Sequence, residues 1–412
     1  MIASLLHSSG GRRAALIGLI LFSGGTTALM AHNLKGNPDA IDRLIVFETA
    51  QDFLSGFYSS SEPFSGDAPP GVQLKRNPSG IFSRSGYYES PEISPGFLFK
   101  EALPSWNIEL PPGTGYAIQL CVKGPTGTWS SWYYLGGYKV LWEIPFKKVT
   151  ENVHGRIDVD HWVGFGAVPK IKFRVWLFTA SDRRSPVLRR FFLHLRGYPE
   201  DNPDYKMENE GEEGAQAKMG IGDLPPSVHL DVPWRSQAIL GKELKSQACC
   251  PTSAAMLLEF AGHDVTTTDV ARRTFDLESA MYGVWPRASQ VLSEFGLRAY
   301  VRRYRTLDEA RRTLADGQPI IISIKAQPGQ LPEAPYRRTN GHLLVLTGYD
   351  GQDWFIVNDP ATSDPARGRQ VRYSAAGLED VWIDNGGVAI IAEPPSHARR
   401  RISSQPADGD SD

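Results

Sequence analysis

Ser246-Gln247-Ala248-Cys249-Cys250-Pro251-Thr252-Ser253-Ala254-Ala255-Met256-Leu257-Leu258 sets two adjacent cysteines directly before a proline and an apolar run. Proline is tolerated in the first turn of a helix because its missing donor would be unpaired there anyway. The pattern therefore predicts a helix over 251–260 with the cysteines at its N-terminus. There the free backbone amides and the positive end of the macrodipole favour a thiolate. Such placement lowers a cysteine pKa from about 8.5 to anywhere in roughly 3.5–7.5. The thiolate is the nucleophilic form, so the position suits covalent catalysis. Taken alone, a cysteine at a helix start is more often a buried small hydrophobe.

A thiolate nucleophile needs a base, and the base needs a group that orients it. Downstream, Asn340-Gly341-His342 opens the apolar run Leu343-Leu344-Val345-Leu346, and Trp354-Phe355-Ile356-Val357-Asn358-Asp359-Pro360 is a second buried strand ending in Asp359. The short Asp350-Gly351-Gln352 turn predicts antiparallel pairing of the two, which carries His342 to Asp359. Alone, His342 reads as a surface histidine and Asp359-Pro360 as a turn. Further helices are predicted over 268–275, with Thr268 as N-cap, and over 288–295. Thr306-Leu307-Asp308-Glu309 reads as a capping box. Strands are predicted over 319–325, 342–349, 354–358 and 387–392. Helices followed by a run of strands indicate an α+β domain.

Cys-x-Pro-Thr-Ser opening an apolar helix, Gly-His before an apolar strand, and strand-Asn-Asp-Pro together resemble the bacteriocin-processing-type, peptidase-like cysteine peptidases of the papain-like clan. The resemblance covers roughly residues 228–393. Tyr282-Gly283-Val284-Trp285, Gly296-Leu297 and Gly317-Gln318-Pro319 agree with it. It implies a papain-like fold with Cys249 as nucleophile, His342 as general base and acid, and Asp359 as the orienting carboxylate. It also implies an upstream glutamine in the oxyanion hole. Gln237, in Val232-Pro233-Trp234-Arg235-Ser236-Gln237, resembles that glutamine, and Gln247 is the alternative closer to the cysteines. One departure stands out: Cys250 occupies the place where the family usually has glycine or a small polar residue. A residue before proline is pushed towards extended geometry, which fits Cys250 as a spacer.

Outward from this domain the pattern changes. Residues 44–195 show short alternating segments separated by Gly, Pro and Ser, such as Tyr116, Ile118, Leu120, Val122 and Ile171, Phe173, Val175, Leu177. That period of two predicts an antiparallel sandwich or barrel. Gly86-Tyr87-Tyr88-Glu89-Ser90-Pro91, Ser105-Trp106-Asn107 and Trp129-Ser130-Ser131-Trp132 with Leu135-Gly136 look like a β-sandwich module that accompanies exported peptidase domains of this kind. Trp106, Trp129, Trp132, Trp142, Trp162 and Trp176 fall here. Most are expected in the core, and carbohydrate is the ligand class for any that turn a face outward.

The expected organisation is a signal peptide or anchor over 1–31, an all-β sandwich over 40–198, an acidic linker over 199–226, the α+β papain-like domain over 227–394, and a disordered tail over 395–412. Arg12-Arg13 before the apolar run 14–22, then small residues to Ala31, has the layout of an export signal, short for a membrane span. The membrane is a partner only if that segment is retained. The lone cysteines Cys121, Cys249 and Cys250 offer no disulfide framework. No cofactor motif or zinc-like His-Cys spacing is present, and His263 is expected in an exposed loop. The net charge of -2 gives no reason to propose nucleic acid as a partner. The sequence thus predicts an exported cysteine peptidase acting on a peptide or protein through an acyl-enzyme. The alternatives are a catalytically silent envelope or extracellular binding protein, and a cell-wall peptide amidase using the same thiol chemistry.

Overall fold

The computed structural model describes residues 39–64, 68–139, 144–206, 224–242 and 244–394. The expected export signal, the tail and the middle of the expected linker lie outside the described residues, as does Trp142.

In the N-terminal half the period-two segments become strands of two antiparallel sheets. One is ordered Phe57–Ser59, Ser85–Glu89, Lys170–Thr179, Thr114–Lys123, Tyr133–Tyr138. The other is ordered Ser61–Pro63, Val72–Leu74, Val187–Gly197, Phe99–Glu109, His161–Val168, Gly155–Asp158, Glu151–Asn152, with Ile41–Phe47 also paired to Val187–Gly197. Ile171, Phe173, Val175 and Leu177 pair with Val122, Leu120, Ile118 and Tyr116, and all eight are buried in one core between the sheets. Phe173 stacks on Phe191 from the opposite sheet with ring centroids 3.7 Å apart. Each such side chain contributes about 1.5–3 kcal/mol by leaving water.

Trp106 and Trp162 belong to that core, whereas Trp129, Trp132 and Trp176 are half-buried on the outer face. Cations cover two of the outer three. The Arg174 guanidinium lies 4.0 Å over Trp132 and 4.3 Å over Tyr87, and the Lys172 ammonium lies 4.8 Å from the Trp129 ring. Cys121 is buried in its strand, and its thiol donates to the Ser130 carbonyl at 3.1 Å.

The C-terminal half is built on a seven-stranded antiparallel sheet: Arg298–Arg303, Val388–Glu393, Ile320–Ala326, Thr339–Asp350, Trp354–Asn358, Val371–Ser374, with Ser227–His229 paired to Thr339–Asp350. Helix Cys249–Phe260 packs Ala254, Met256, Leu257 and Leu258 against Leu343, Val345 and Ile321 on one face. On the other face Leu307, Ala310 and Leu314 of helix Leu307–Ala315 share a core with Ile322, Leu344 and Leu346. A sheet covered on both faces has no polar side to alternate with, hence the continuous runs Ile320-Ile321-Ile322 and Leu343–Leu346.

The structure shifts several expected boundaries. The first helix begins at Cys249, not Pro251, so both cysteines are inside it. The second runs Thr267–Thr274 and is capped by Thr266, not Thr268, because the Thr266 hydroxyl accepts from Asp269 N at 3.1 Å. The third runs Trp285–Ser293, three residues earlier than its apolar period suggested. Thr306 does cap its helix, accepting from Glu309 N, while the Glu309 carboxylate takes the Arg305 amide one residue upstream of the cap. The start of the expected linker is not a solvated chain. Asn202 hydrogen-bonds both the Leu98 amide and carbonyl, and Tyr205 sets its ring edge-on to Phe97. His263 is half-buried, with its ring edge-on to Phe295, rather than exposed in a loop.

The two halves meet over a polar, buried seam. Glu101 pairs with Arg303 at 2.5 Å, Asn107 Nδ2 donates to Ala299 O at 2.7 Å, and Gln290 exchanges hydrogen bonds with the backbone of Ile108. Helix Trp285–Ser293 has no side-chain cap of its own. Its first amide, Trp285 N, donates instead to Asp160 Oδ2 at 2.9 Å, so the N-terminal half supplies the missing acceptor. A carboxylate there also favours the positive end of the helix. Asp160 follows Val159, a β-branched residue held at φ 58°, a strained conformation for that side chain. Asp160→Ala is expected to lower stability by about 1–2 kcal/mol, read as a fall in denaturant midpoint. An unchanged midpoint would show that the cap contributes nothing.

Candidate active site

Helix Cys249–Phe260 delivers the thiols. Successive residues on a helix point about 100° apart, so two neighbouring cysteines must face different surroundings. Cys250 turns into the apolar core and is fully buried, whereas Cys249 is partly exposed and lines a cleft of about 250 Å³. The helix is pinned to the next strand by Ser253, whose hydroxyl donates to the Leu343 carbonyl at 3.1 Å.

That strand, Thr339–Asp350, carries His342 at its inner start, buried but for one edge on the cleft. Its neighbour Trp354–Asn358 runs antiparallel with Asp350 opposite Trp354 and Val345 opposite Asn358, and the chain then turns so that Asp359 lies beside the imidazole. His342 Nε2 and Asp359 Oδ1 are 2.9 Å apart. The other ring nitrogen, Nδ1, is left free of Asp359, and the Cys249 thiol lines the same cleft, close enough for each group to shift the titration of the other. Thiol, imidazole and carboxylate are thus gathered in one place.

Electrostatics follow from that arrangement. Burial alone would raise the Cys249 pKa. The neighbouring His342 and its charge, with the amides of Leu343 and Cys250 aimed at the sulfur, outweigh it and bring the thiol below its ordinary value. Burial would depress His342, but the Asp359 charge and hydrogen bond, with help from Cys249, lift it to about 10. Asp359 is raised by burial and lowered more by His342, the Ala361 amide and the Tyr373 hydroxyl, so it remains a carboxylate. Cys250 goes the opposite way: burial, then the charge of Cys249, hold its thiol well above the usual range. The surroundings thus favour the charged forms of Cys249 and His342 and the neutral form of Cys250.

Gln237 lies on a segment laid along Asp359–Thr362. Trp234 Nε1 donates to Asp359 O at 2.9 Å, Ser236 Oγ donates to Thr362 O, and Gln237 N donates to Pro360 O at 2.9 Å. Its side-chain amide lines the cleft with Cys249, and one Nε2 hydrogen is held by the Lys245 carbonyl at 2.7 Å. The second hydrogen is available for an acceptor in the cleft. Gln247 lines the same cleft.

Sequence reasoning missed two tyrosines. Tyr373 and Tyr336 donate their hydroxyls to Asp359 Oδ2 at 2.7 and 3.1 Å, and the Tyr336 ring stands edge-on to His342 at 5.1 Å. Both carboxylate oxygens are thereby filled, Oδ1 by His342 and the Ala361 amide, Oδ2 by the two phenols. Asn358, next to the carboxylate, is structural: Nδ2 donates to Val232 O at 2.8 Å and Oδ1 accepts from Gln370 N.

Residues 229–390 match the model of the Peptidase_C39 like family, and residues 47–194 match that of the Peptidase C39 N-terminal domain. Residues 229–390 are thus similar to C39-like peptidases, and residues 47–194 to the domain that precedes them in that family. Among solved structures, a C39-like peptidase from Bacillus anthracis is similar at 22% identity over 41% of this chain and 98% of its own, with a TM-score of 0.33. A double glycine motif protease from an AMS/PCAT transporter, in complex with its leader peptide, is similar at 19% identity over 41% and 95%, with a TM-score of 0.29. A CBM61 carbohydrate-binding module in complex with β-1,4-galactotriose is similar at 12% identity over 34% and 89%, with a TM-score of 0.19. No curated protein gives a match. Thiol, imidazole and carboxylate all lie within the C39-like span, and the acceptor that caps the cleft-wall helix comes from the N-terminal-domain span.

Proposed function

We propose that this chain is an exported cysteine peptidase of papain-like design that hydrolyses peptide bonds through an acyl-enzyme. One observation carries the reading: a thiol at a helix N-terminus sharing one cleft with an imidazole whose far nitrogen is held by a buried carboxylate. The Cys249 thiolate attacks the scissile carbonyl carbon, forming a C–S bond and moving the carbonyl electrons onto oxygen. The Cys249 backbone N–H, which as the first residue of its helix lacks an intrahelical acceptor, and the second Gln237 amide hydrogen receive that oxyanion. His342 gives its proton to the leaving amine as the C–N bond breaks. Its neutral ring then takes a proton from water, which attacks the thioester and releases the acid and the thiolate. Asp359, locked by two phenols, keeps Nδ1 turned to the sulfur throughout.

Gln237→Ala is expected to lower kcat by roughly 10²–10³-fold with little change in KM. A loss confined to KM would remove Gln237 from the oxyanion role. The reading itself is tested by incubating the mature chain with unstructured peptides and with muropeptides, beside its Cys249→Ala variant. Cleavage of peptides that is lost in the variant supports it. Cleavage of muropeptides alone makes the chain an amidase, and no turnover or thiol-probe labelling of Cys249 leaves a silent binding fold.

Export rests on the Arg12–Ala31 pattern, and N-terminal sequencing of secreted chain is expected to start near Ala31. A carbohydrate ligand on the N-terminal half would have to displace Arg174 from Tyr87 and Trp132, or use the half-buried Trp176, whose Nε1 already donates to Gln119 at 2.8 Å. A glycan array probed with the full chain tests it, and an array without signal removes carbohydrate from the proposal.

A further inference from the structure

The cleft around Cys249 and His342 is lopsided in charge. Among the described residues its lining includes the cations Lys325 and Arg338 and no aspartate or glutamate. Arg338 is exposed at the rim, whereas Lys325 is half-buried within. Lys325 stands on Ile320–Ala326, the strand beside the one that carries His342, and follows Ile324, the residue paired directly with His342. The register breaks there, between Ile324 and Ala326, so Lys325 sits at a bulge next to the reacting groups rather than inside a regular ladder. Ser323, two residues back on the same strand, lines the cleft with it.

Lys325 differs from the other buried cations of this chain. Arg196 is bound by Asp42 through two hydrogen bonds of 2.7 and 2.6 Å, Arg303 pairs with Glu101, and Arg298 with Glu48 at 2.8 Å. Lys325 has no hydrogen bond or ion pair among the described residues. Burial pulls its ammonium below its ordinary range, and the charge of Asp158, at the end of strand Gly155–Asp158, offsets only part of that. A half-desolvated cation without a partner is costly until an anion arrives. An ion pair made inside such a cleft is also stronger than one made in water.

We propose that Lys325 is a specificity-determining residue that takes a carboxylate of the substrate beside the scissile bond, so that the site selects acidic peptides. This rests on the peptidase reading above. The carboxylate has two sources, an Asp or Glu side chain or a free peptide C-terminus, and both offer the same paired oxygens to the ammonium.

The test digests a defined synthetic peptide mixture, supplied once with amidated and once with free C-termini, with the mature full-length chain, and reads every cut by mass spectrometry. Alkylation of Cys249 by iodoacetamide is followed in parallel. The expected result is enrichment of Asp or Glu at one fixed distance from the cut in both sets, or cleavage confined to the free-acid set if the terminal carboxylate is the ligand. Lys325→Met is expected to reduce the kcat/KM ratio of acidic over neutral peptides roughly ten- to hundredfold. Lys325→Arg should restore the preference, and Lys325→Glu should move it towards basic residues. Cuts without acidic preference, or a preference that survives Lys325→Met in a folded variant, overturn the proposal. So does rapid Cys249 alkylation with no cut in either set. A chain in which Cys249 neither alkylates faster than an ordinary thiol nor cuts any peptide fails at the peptidase reading itself, and the two failures are thereby told apart.

Discussion

Cys249→Ala is expected to abolish peptide hydrolysis, a loss on the order of 10⁶ in kcat, whereas Cys250→Ala should retain most activity. The contrast is a property of the helix. Two adjacent side chains cannot share one face, and this helix gives the cleft to Cys249 and the core to Cys250. Cys250→Ala removes a small buried group from a packed apolar cluster, so its cost should appear in stability, at about 1 kcal/mol. A thiol-directed probe should label the wild type and Cys250→Ala alike and leave Cys249→Ala unlabelled. The reverse pattern would exchange the roles of the two cysteines and undo the proposed geometry, because Cys250 is packed in the apolar core.

Asp359→Ala is the second large effect, and it should strike stability and activity together. The carboxylate is fully buried and accepts from His342, the Ala361 amide, Tyr336 and Tyr373. Removing it strands an imidazolium and three further donors, which should cost about 3–5 kcal/mol. Activity should fall by on the order of 10⁴, since Asp359 holds the far nitrogen of the ring. Asp359→Asn keeps an acceptor for the ring and should be the milder change in both respects. Equal melting points for wild type and Asp359→Ala would show that the buried network is not what holds this part of the domain.

The pH dependence of stability follows from the same groups. Asp359 is held below its ordinary value, so its contribution is present above the unfolded pKa of about 3.9 and is lost as pH falls through the lower folded value. His342 is lifted to about 10, so its contribution is full below the unfolded value of about 6.5 and is lost as pH rises through about 10. The interior of the domain is therefore expected to loosen at both extremes.

Local chemistry made the thiol legible: two cysteines before Pro251 and an apolar run define a helix start whatever surrounds it. His342 and Asp359 were legible from order and turn length, since a short connection between two apolar runs brings their ends together. Tyr336 and Tyr373 were not, because their role depends on strand pairing. Tyr373 reaches Asp359 from Val371–Ser374, a short edge strand across from Phe355 with too little alternation to announce itself. Strand Arg298–Arg303 was missed for a related reason. Ala299, Tyr300 and Val301 are buried on successive positions, which erases the period of two. Asp160 was beyond reach altogether, because it caps a helix that begins 125 residues later in the chain and on the other side of the seam. The three-residue offset of that helix has the same origin, as its start is fixed by Asp160 and Pro286 and not by its own apolar period.

The most direct test of the thiolate–imidazolium pair is the rate of Cys249 alkylation by iodoacetamide as a function of pH, in the Cys250→Ala background, with and without His342→Ala. The account predicts that alkylation persists into acidic solution while His342 is present, and that His342→Ala moves the titration up to the range of an ordinary thiol. A titration already at the ordinary value of about 8.5, unmoved by His342→Ala, would contradict it.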